Sequence, residues 1–313
     1  MIVGGIDIGG TKIAVGLITD QGQLMASETM STSPASGLPN ALERIRRAFT
    51  GMQQRAGVKM QGIGIACTGP VNPLTGELSA NAFLPGWEGL GLMHGLEDAY
   101  HLPLAMENDA DAAALAEGRW GCGRGSPTFL YLTVSTGIGG GLILDGRLYR
   151  GVNGAHPEVG HHTLDPSGPL CFCGAHGCWE VLAAGSALLT WYNQQAPDPL
   201  AMDAAQVCDL ARAGSQLAIQ AVEREARYLG LGLANLITLF LPNQIALGGG
   251  VMKSWPLFEP IVRQTIRQNC GLVPYQSTRI NLAQLGMKVN LLGAGQVWFH
   301  RYLSKQEGII NEK

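Results

Sequence analysis

The sequence predicts an α/β protein of two domains, and three observations carry that expectation. Strand-length apolar runs alternate with segments of helical period along the whole chain, the pattern of βαβ units. Two strands end in similar glycine-bearing turns, Asp7-Ile8-Gly9-Gly10 and Ser135-Thr136-Gly137-Ile138-Gly139, as though each half opened alike. No low-complexity linker interrupts the chain, and 313 residues suffice for two cores of ordinary size. The expected division is a smaller domain over 1–118 and a larger one over 119–313, with the final helix free to return to the first. A cleft between the domains is the expected place for a ligand.

The elements follow from local pattern. Met1 to Ile6 is an apolar strand ending at Asp7, and the run after it reads as a hairpin broken at Asp20–Gly22. Leu42, Ile45, Phe49 and Met52 share one face of a helix. Gly62 to Ala66 is a buried strand leading to the turn Cys67-Thr68-Gly69-Pro70. A helix from Gly91 to Tyr100 precedes a strand at Leu104–Glu107. Asp109 is placed as the N-cap of an alanine-rich helix to Trp120. Thr128–Val134 and Gly141–Leu144 are strands joined by a glycine-rich turn, and Asp145–Gly146 marks a hairpin. Val181–Asn193, Ala204–Ala213 and Gln216–Leu241 are helical, and Asn243–Leu247 is a buried strand ending in three glycines. A helix through Phe258–Ile266, a strand near Ile280–Leu282 and a helix from Gly293 complete the chain.

Composition narrows the class. The formal charge is −3, which gives no reason to expect nucleic acid or an acidic membrane surface as partner. No signal-peptide pattern opens the chain, and no apolar run reaches transmembrane length. A soluble cytoplasmic protein is expected. The 44 glycines are about twice the usual share and clustered, which suits loops that approach ligands closely.

Five motifs bear on chemistry. Asp7-Ile8-Gly9-Gly10-Thr11-Lys12 offers backbone and side-chain donors for phosphate, with Asp7 able to hold a metal or its waters. It is not a P-loop, because Thr11 intervenes before Lys12 and a strand follows. Thr136-Gly137-Ile138-Gly139-Gly140-Gly141 is a second candidate phosphate turn. It is not a dinucleotide fingerprint, since Leu142 stands at the sixth position and a strand follows. Glu107-Asn108-Asp109 puts a carboxylate just beyond a strand's C-terminal end, where Asp109 can take a proton from a hydroxyl and Asn108 can bind that substrate. Gly248-Gly249-Gly250 lets a base or ribose pack on bare backbone. The densest motif runs from His156 to Glu180 and holds three of the seven cysteines and four of the seven histidines. Cys171, Cys173 and Cys178 are three candidate zinc ligands, expected in a closed structural site, with a three-ligand catalytic zinc as the alternative. Spacing leaves the fourth open among His156, His161, His162 and His176.

With these motifs in this order, the chain resembles the ROK family of sugar kinases over essentially its whole length. The most specific match is Glu158-Val159-Gly160-His161 followed by Cys171-Phe172-Cys173-Gly174-Ala175-His176-Gly177-Cys178-Trp179-Glu180. The resemblance implies an actin-like ATPase fold, a duplicated ribonuclease H-like motif, with ATP and sugar in the interdomain cleft. It assigns Asp109 as catalytic base, and Gly69, Asn81, Asn108, Glu158, His161 and Glu180 to the sugar. Asp7, Gly9, Gly10, Thr11, Lys12, Thr136, Gly137, Gly249 and Gly250 fall to ATP and its Mg²⁺. His161 becomes the fourth ligand of a structural Zn²⁺. The segment Gly286 to Ala294 departs from the common family pattern at Lys288 and Asn290.

The implied reaction is ATP-dependent phosphorylation of glucose at O6. N-acetylmannosamine, N-acetylglucosamine, mannose, allose and fructose are the alternative acceptors. A sugar-responsive regulator is the rival class; its DNA-binding module would precede the first strand, which here begins at Met1. The family resemblance also implies a homodimer or homotetramer.

Overall fold

A computed structural model describes residues 1–79, 83–197 and 201–303. The chain forms two compact units: Met1–Gly125 with Gly141–Pro157 and Gln284–Lys313, and Ser126–Gly140 with Glu158–Ala283. The chain thus leaves the first unit after Gly125, where residue 118 was expected, and returns twice.

In the first unit, β1 (Ile2–Ile8), β2 (Lys12–Thr19), β3 (Leu24–Ser31), β4 (Ile63–Cys67) and β5 (Leu104–Asn108) form a sheet in the order β3-β2-β1-β4-β5. β1, β2 and β3 are antiparallel neighbours, whereas β1, β4 and β5 run parallel. On one face lies α1 (Leu38–Ala56), whose Ile45, Phe49 and Met52 are buried as its periodicity predicts, together with Leu92 and Leu96 of α2 (Leu92–Tyr100). Pro39 starts α1 and Gly57, in the left-handed region, ends it.

The other face takes α9 (Val289–Leu303), and glycines make room for it. Gly16, Gly5 and Gly64 lie in register across β2, β1 and β4. A Cβ on Gly5 would come within 2.9 Å of the Leu291 carbonyl oxygen, and one on Gly64 would overlap that of Ala294. Trp298 Nε1 donates to Pro103 O at 2.9 Å. The C-terminal helix is therefore an integral layer of the first unit.

α3 (Asp109–Trp120) also belongs here. Its N-cap is Asn108, whose Oδ1 accepts from Ala110 N at 2.8 Å, and not Asp109 as the sequence suggested. A cap must stand outside helical φ/ψ, and Asn108, ending a strand at φ −59 and ψ 150, does so. Asp109 becomes the first helical residue. Its C-terminal turn is fixed by buried Glu117, which accepts from Cys122 N and Leu285 N.

The second sheet runs β10-β9-β6-β7-β8, with β6 (Phe129–Val134), β7 (Ile138–Leu144), β8 (Arg147–Leu148), β9 (Gln244–Gly248) and β10 (Arg279–Leu282). β6, β9 and β10 are parallel. β7 begins at Ile138, so Gly139 to Gly141 are strand residues and the turn itself is only Ser135–Gly137, closed by Ser135 N donating to Gly137 O. The 25-residue α7 (Gln216–Phe240) packs against α6 (Ala204–Arg212) and α8 (Trp255–Asn269). The helix expected over 181–193 is two, α4 (Trp179–Ala183) and α5 (Gly185–Gln195). Gly185 N donates to Ser135 O at 2.7 Å, and Ala184 is extended to permit it.

Candidate active site and metal centre

In the first unit, parallel pairing sets the geometry. The register places Asp7, Ala66 and Glu107 in one row and Ile8, Cys67 and Asn108 in the next. Asp7 and the Asn108–Asp109 pair thus stand at the same C-terminal edge with one strand between them, the edge at which open α/β sheets bind ligands. Asp7 is partly buried, and its carboxyl is pushed up to about 7, first by burial and then by the charge of Asp109, with Lys12 opposing. The buried Cys67 thiol between them is raised too, by burial and then by Asp109 and Asp7.

The turn after β1 is tightly tied. Gly9 N donates to Lys12 O at 3.0 Å, Thr32 Oγ1 donates to Gly9 O at 2.6 Å, and Thr32 N donates to Thr11 O at 3.0 Å. Thr11 and Lys12 are left exposed at its tip. Asn108 Nδ2 reaches Gly69 O at 3.5 Å, and Gly69 takes the left-handed φ of 85° its turn requires. Asn81 lies outside the described residues.

Beneath this edge Arg150 and Asp111, which the motif reading passed over, meet two residues that it named in other roles. Arg150 makes a bidentate contact with the carboxylate of buried Glu107. Burial pushes Glu107 up to about 7 while Arg150 opposes the rise. His156 Nδ1 lies 2.8 Å from Asp111 Oδ2, both side chains being buried. Glu107 and Asp111 flank Asn108–Asp109 in sequence, so a salt bridge to Arg150 and a close contact with His156 hold the backbone on either side of that pair. An acidic residue two positions on either side of Asp109, in a stretch otherwise apolar, was the available signal.

In the second unit, Ser135–Gly137 and Gly249–Gly250 stand at the C-terminal ends of adjacent parallel strands, since Thr133 pairs with Gly248. Gly249 has φ 93°, and a Cβ there would overlap the carbonyl of Val134. Thr136 O accepts from Ser186 Oγ at 2.7 Å. Glu180, in the first turn of α4, accepts from Ile138 N through Oε2 at 2.8 Å, and any side chain on Gly137 would meet that carboxylate.

The cysteine-rich segment brings His161, Cys171, Cys173 and Cys178 together, with ligand atoms all within 4.8 Å of one another. Cys171 Sγ is 3.4 Å from His161 Nδ1, and Cys173 Sγ is 3.5 Å from Cys178 Sγ. A tetrahedral ion with metal–sulfur bonds of about 2.3 Å spaces its thiolates by roughly 3.7 Å, so the donor set fits zinc. The competing histidines are engaged elsewhere: His156 with Asp111, His162 with Val159 O at 2.6 Å, and His176 with Gly168 O at 3.1 Å. Glu158 is exposed and precedes the short 3-10 turn Val159–His161, its carbonyl accepting from His161 N at 3.0 Å. Gly160 is needed there because a Cβ would overlap Ile138 O.

The ROK family model matches residues 3–301. This chain belongs to the ROK family. It is similar to the glucokinase of Streptomyces coelicolor, at 34% identity over 94% of this chain and 96% of that protein. Among solved structures, a ROK hexokinase from Thermus thermophilus is 37% identical with a TM-score of 0.85, covering 98% of this chain and all of that one. A ROK glucokinase from Streptomyces griseus, in complex with glucose and AMPPNP, is 31% identical with a TM-score of 0.78, covering 94% and 98%. The ROK chain described here is an ATP-using sugar kinase with the actin-like ATPase fold. No helix among its described residues is long and apolar enough to cross a membrane.

Proposed function

We propose that this sugar kinase transfers the γ-phosphoryl group of ATP to the 6-hydroxyl of glucose, with Asp109 as general base. The observation that carries the reading is the position of Asp109 in the first turn of α3, held at the strand edge by the Asn108 cap and close enough to Asp7 for their charges to interact. O6 attacks the γ-phosphorus, the O6–H bond gives its proton to Asp109, and ADP leaves with the electrons of the broken P–O bond. Phosphoryl transfer asks mainly for positioning and charge neutralisation. Asp109 therefore orients the nucleophile, and Lys12 with the Gly9–Thr11 and Thr136–Gly137 backbones takes the phosphate charge.

Glu158, His161, Glu180, Asn108, Gly69 and Asn81 are assigned to the sugar, and Gly249–Gly250 to the adenosine side. Mg²⁺ with ATP falls to Asp7, directly or through water; a cation there would relieve the proximity of two carboxylates, and it supplies charge neutralisation on the phosphates. Zn²⁺ held by His161, Cys171, Cys173 and Cys178 would be structural, tying Cys178, and so α4 with Glu180, to the loop that carries Glu158.

A coupled ADP-release assay over glucose, mannose, allose, fructose, N-acetylglucosamine and N-acetylmannosamine tests the acceptor. Glucose should give the highest kcat/KM. Preference for an N-acetyl sugar would overturn the glucose assignment, and no sugar-dependent ADP release with any of them would overturn Asp109's role.

A further inference from the structure

We infer that the groove between β3 and α1 in the first unit binds a hydroxylated phosphomonoester. A cavity of about 250 Å³ lies there, lined by Glu28 and Met30 of β3 and by Arg44, Arg47, Gly51 and Arg55 of α1. None of these residues belongs to the kinase set. The helical spacing is what assembles it: 44, 47, 51 and 55 fall on one face at intervals of three and four.

Three features point to a ligand. First, the charge is uncompensated. Three guanidinium groups face one carboxylate, yet neither Arg44, Arg55 nor Glu28 makes an ion pair among the described residues. Arg47 has only a share of Glu43, which also takes both bonds of Arg46. Second, Arg44 Nε is buried without a hydrogen-bond partner, although Arg44 Nη2 is fixed on Thr32 O at 3.1 Å. A buried unpaired donor on a charged group is unfavourable, which marks Arg44 as a cation whose acceptors are incomplete. Third, the space is kept open by Gly51. Glycine inside a helix is disfavoured, and here a Cβ would approach Arg55 Nη1 to 3.0 Å and a longer side chain would fill the cavity.

The size and the lining select the ligand class. The cavity is smaller than that of a drug-sized site, which suits a phosphoryl group with a short hydroxylated chain. Guanidinium forks match phosphate oxygens. Glu28 would repel bare phosphate, whereas a ligand hydroxyl can donate to it. The phosphoryl dianion is the shared chemistry; the ester is distinguished from free phosphate by Glu28.

Calorimetric titration of the full chain with glycerol 3-phosphate and with inorganic phosphate tests the site. Glycerol 3-phosphate should bind saturably and more tightly than phosphate. Arg55→Gln should weaken it about tenfold or more. Gly51→Leu, which keeps every charge and raises helix propensity, should abolish it. Glu28→Gln should narrow the gap between the two probes. Both α1 variants should keep wild-type kinase turnover and thermal stability. Wild-type affinity in Arg55→Gln and Gly51→Leu, or no saturation in the native chain, overturns the site. Equal affinity for the two probes, unmoved by Glu28→Gln, overturns the ester.

Discussion

Ile138 N–H donates to Glu180 Oε2 at 2.8 Å, so one carboxylate that the family pattern gives to the sugar also fixes the turn that carries Thr136 and Gly137. On the proposed assignment, sugar and nucleotide recognition share a group. Glu180→Ala should raise the KM for ATP as well as for sugar, each by about tenfold, the worth of one charge-assisted hydrogen bond. Glu180→Gln keeps an oxygen acceptor for Ile138 N and should spare the ATP term more than the sugar term. Steady-state kinetics varying each substrate separates the two. An effect confined to sugar KM in the alanine variant would show that the Ile138 bond does not position the phosphate turn.

Asp109→Asn preserves shape and removes the proposed base. Because Asn108 and not Asp109 caps α3, the helix should remain intact. A fall in kcat of about 10²–10⁴ is expected, the usual share of general base catalysis, with sugar affinity nearly unchanged by calorimetry. Near-normal turnover would remove Asp109 from its role.

The raised carboxyl of Asp7 makes stability depend on pH. Its value moves from 3.8 to about 7 on folding, so above pH 4 the unfolded chain has released a proton that the native chain still holds. The native state is therefore favoured least at high pH: this contribution is lost as pH rises from about 4 through about 7, and it amounts to something on the order of 1–3 kcal/mol. Asp7→Asn should gain stability relative to wild type across that window, measured as urea midpoints at pH 5 and pH 8 without nucleotide. A difference that stays constant with pH would show that Asp7 ionises normally.

The candidate metal cluster gives a simple count. One zinc per chain is expected by elemental analysis, and Cys173→Ser should lose it. That cysteine is exposed, so the substitution removes a ligand without opening the core. Chelation should lower the melting temperature, since metal affinity adds directly to folding stability. Absence of metal in carefully prepared protein would remove the site.

What could be read from the sequence was local. The periodicity of Ile45, Phe49 and Met52 and the run Asn243–Leu247 gave α1 and β9 within a few residues, and the cysteine spacing gave three members of the candidate metal cluster. Choosing His161 over three other histidines is not local, for it depends on Asp111, Val159 and Gly168 occupying the rest. The row Gly16–Gly5–Gly64 reads as three unrelated glycines until strand register aligns them under α9. The split of α4 from α5 likewise rests on Ser135, fifty residues earlier, accepting from Gly185.

Arg150 makes another such nonlocal pairing, beside Asn108 and Asp109. Its guanidinium holds both oxygens of Glu107, the residue before Asn108. Arg150→Met removes the charge and leaves Glu107 buried without its partner, a change that typically costs about 3–5 kcal/mol when one member of a buried pair is deleted. Glu107 is already raised to about 7, so part of that loss should be recovered at low pH, where the carboxyl takes up a proton. The variant should therefore be less destabilised at pH 5 than at pH 8, and Arg150→Met combined with Glu107→Gln should lose that pH dependence. Urea denaturation of the single and double variants at both pH values measures it. Destabilisation of the single variant independent of pH would mean that Arg150 supports the edge through packing and not through the Glu107 charge.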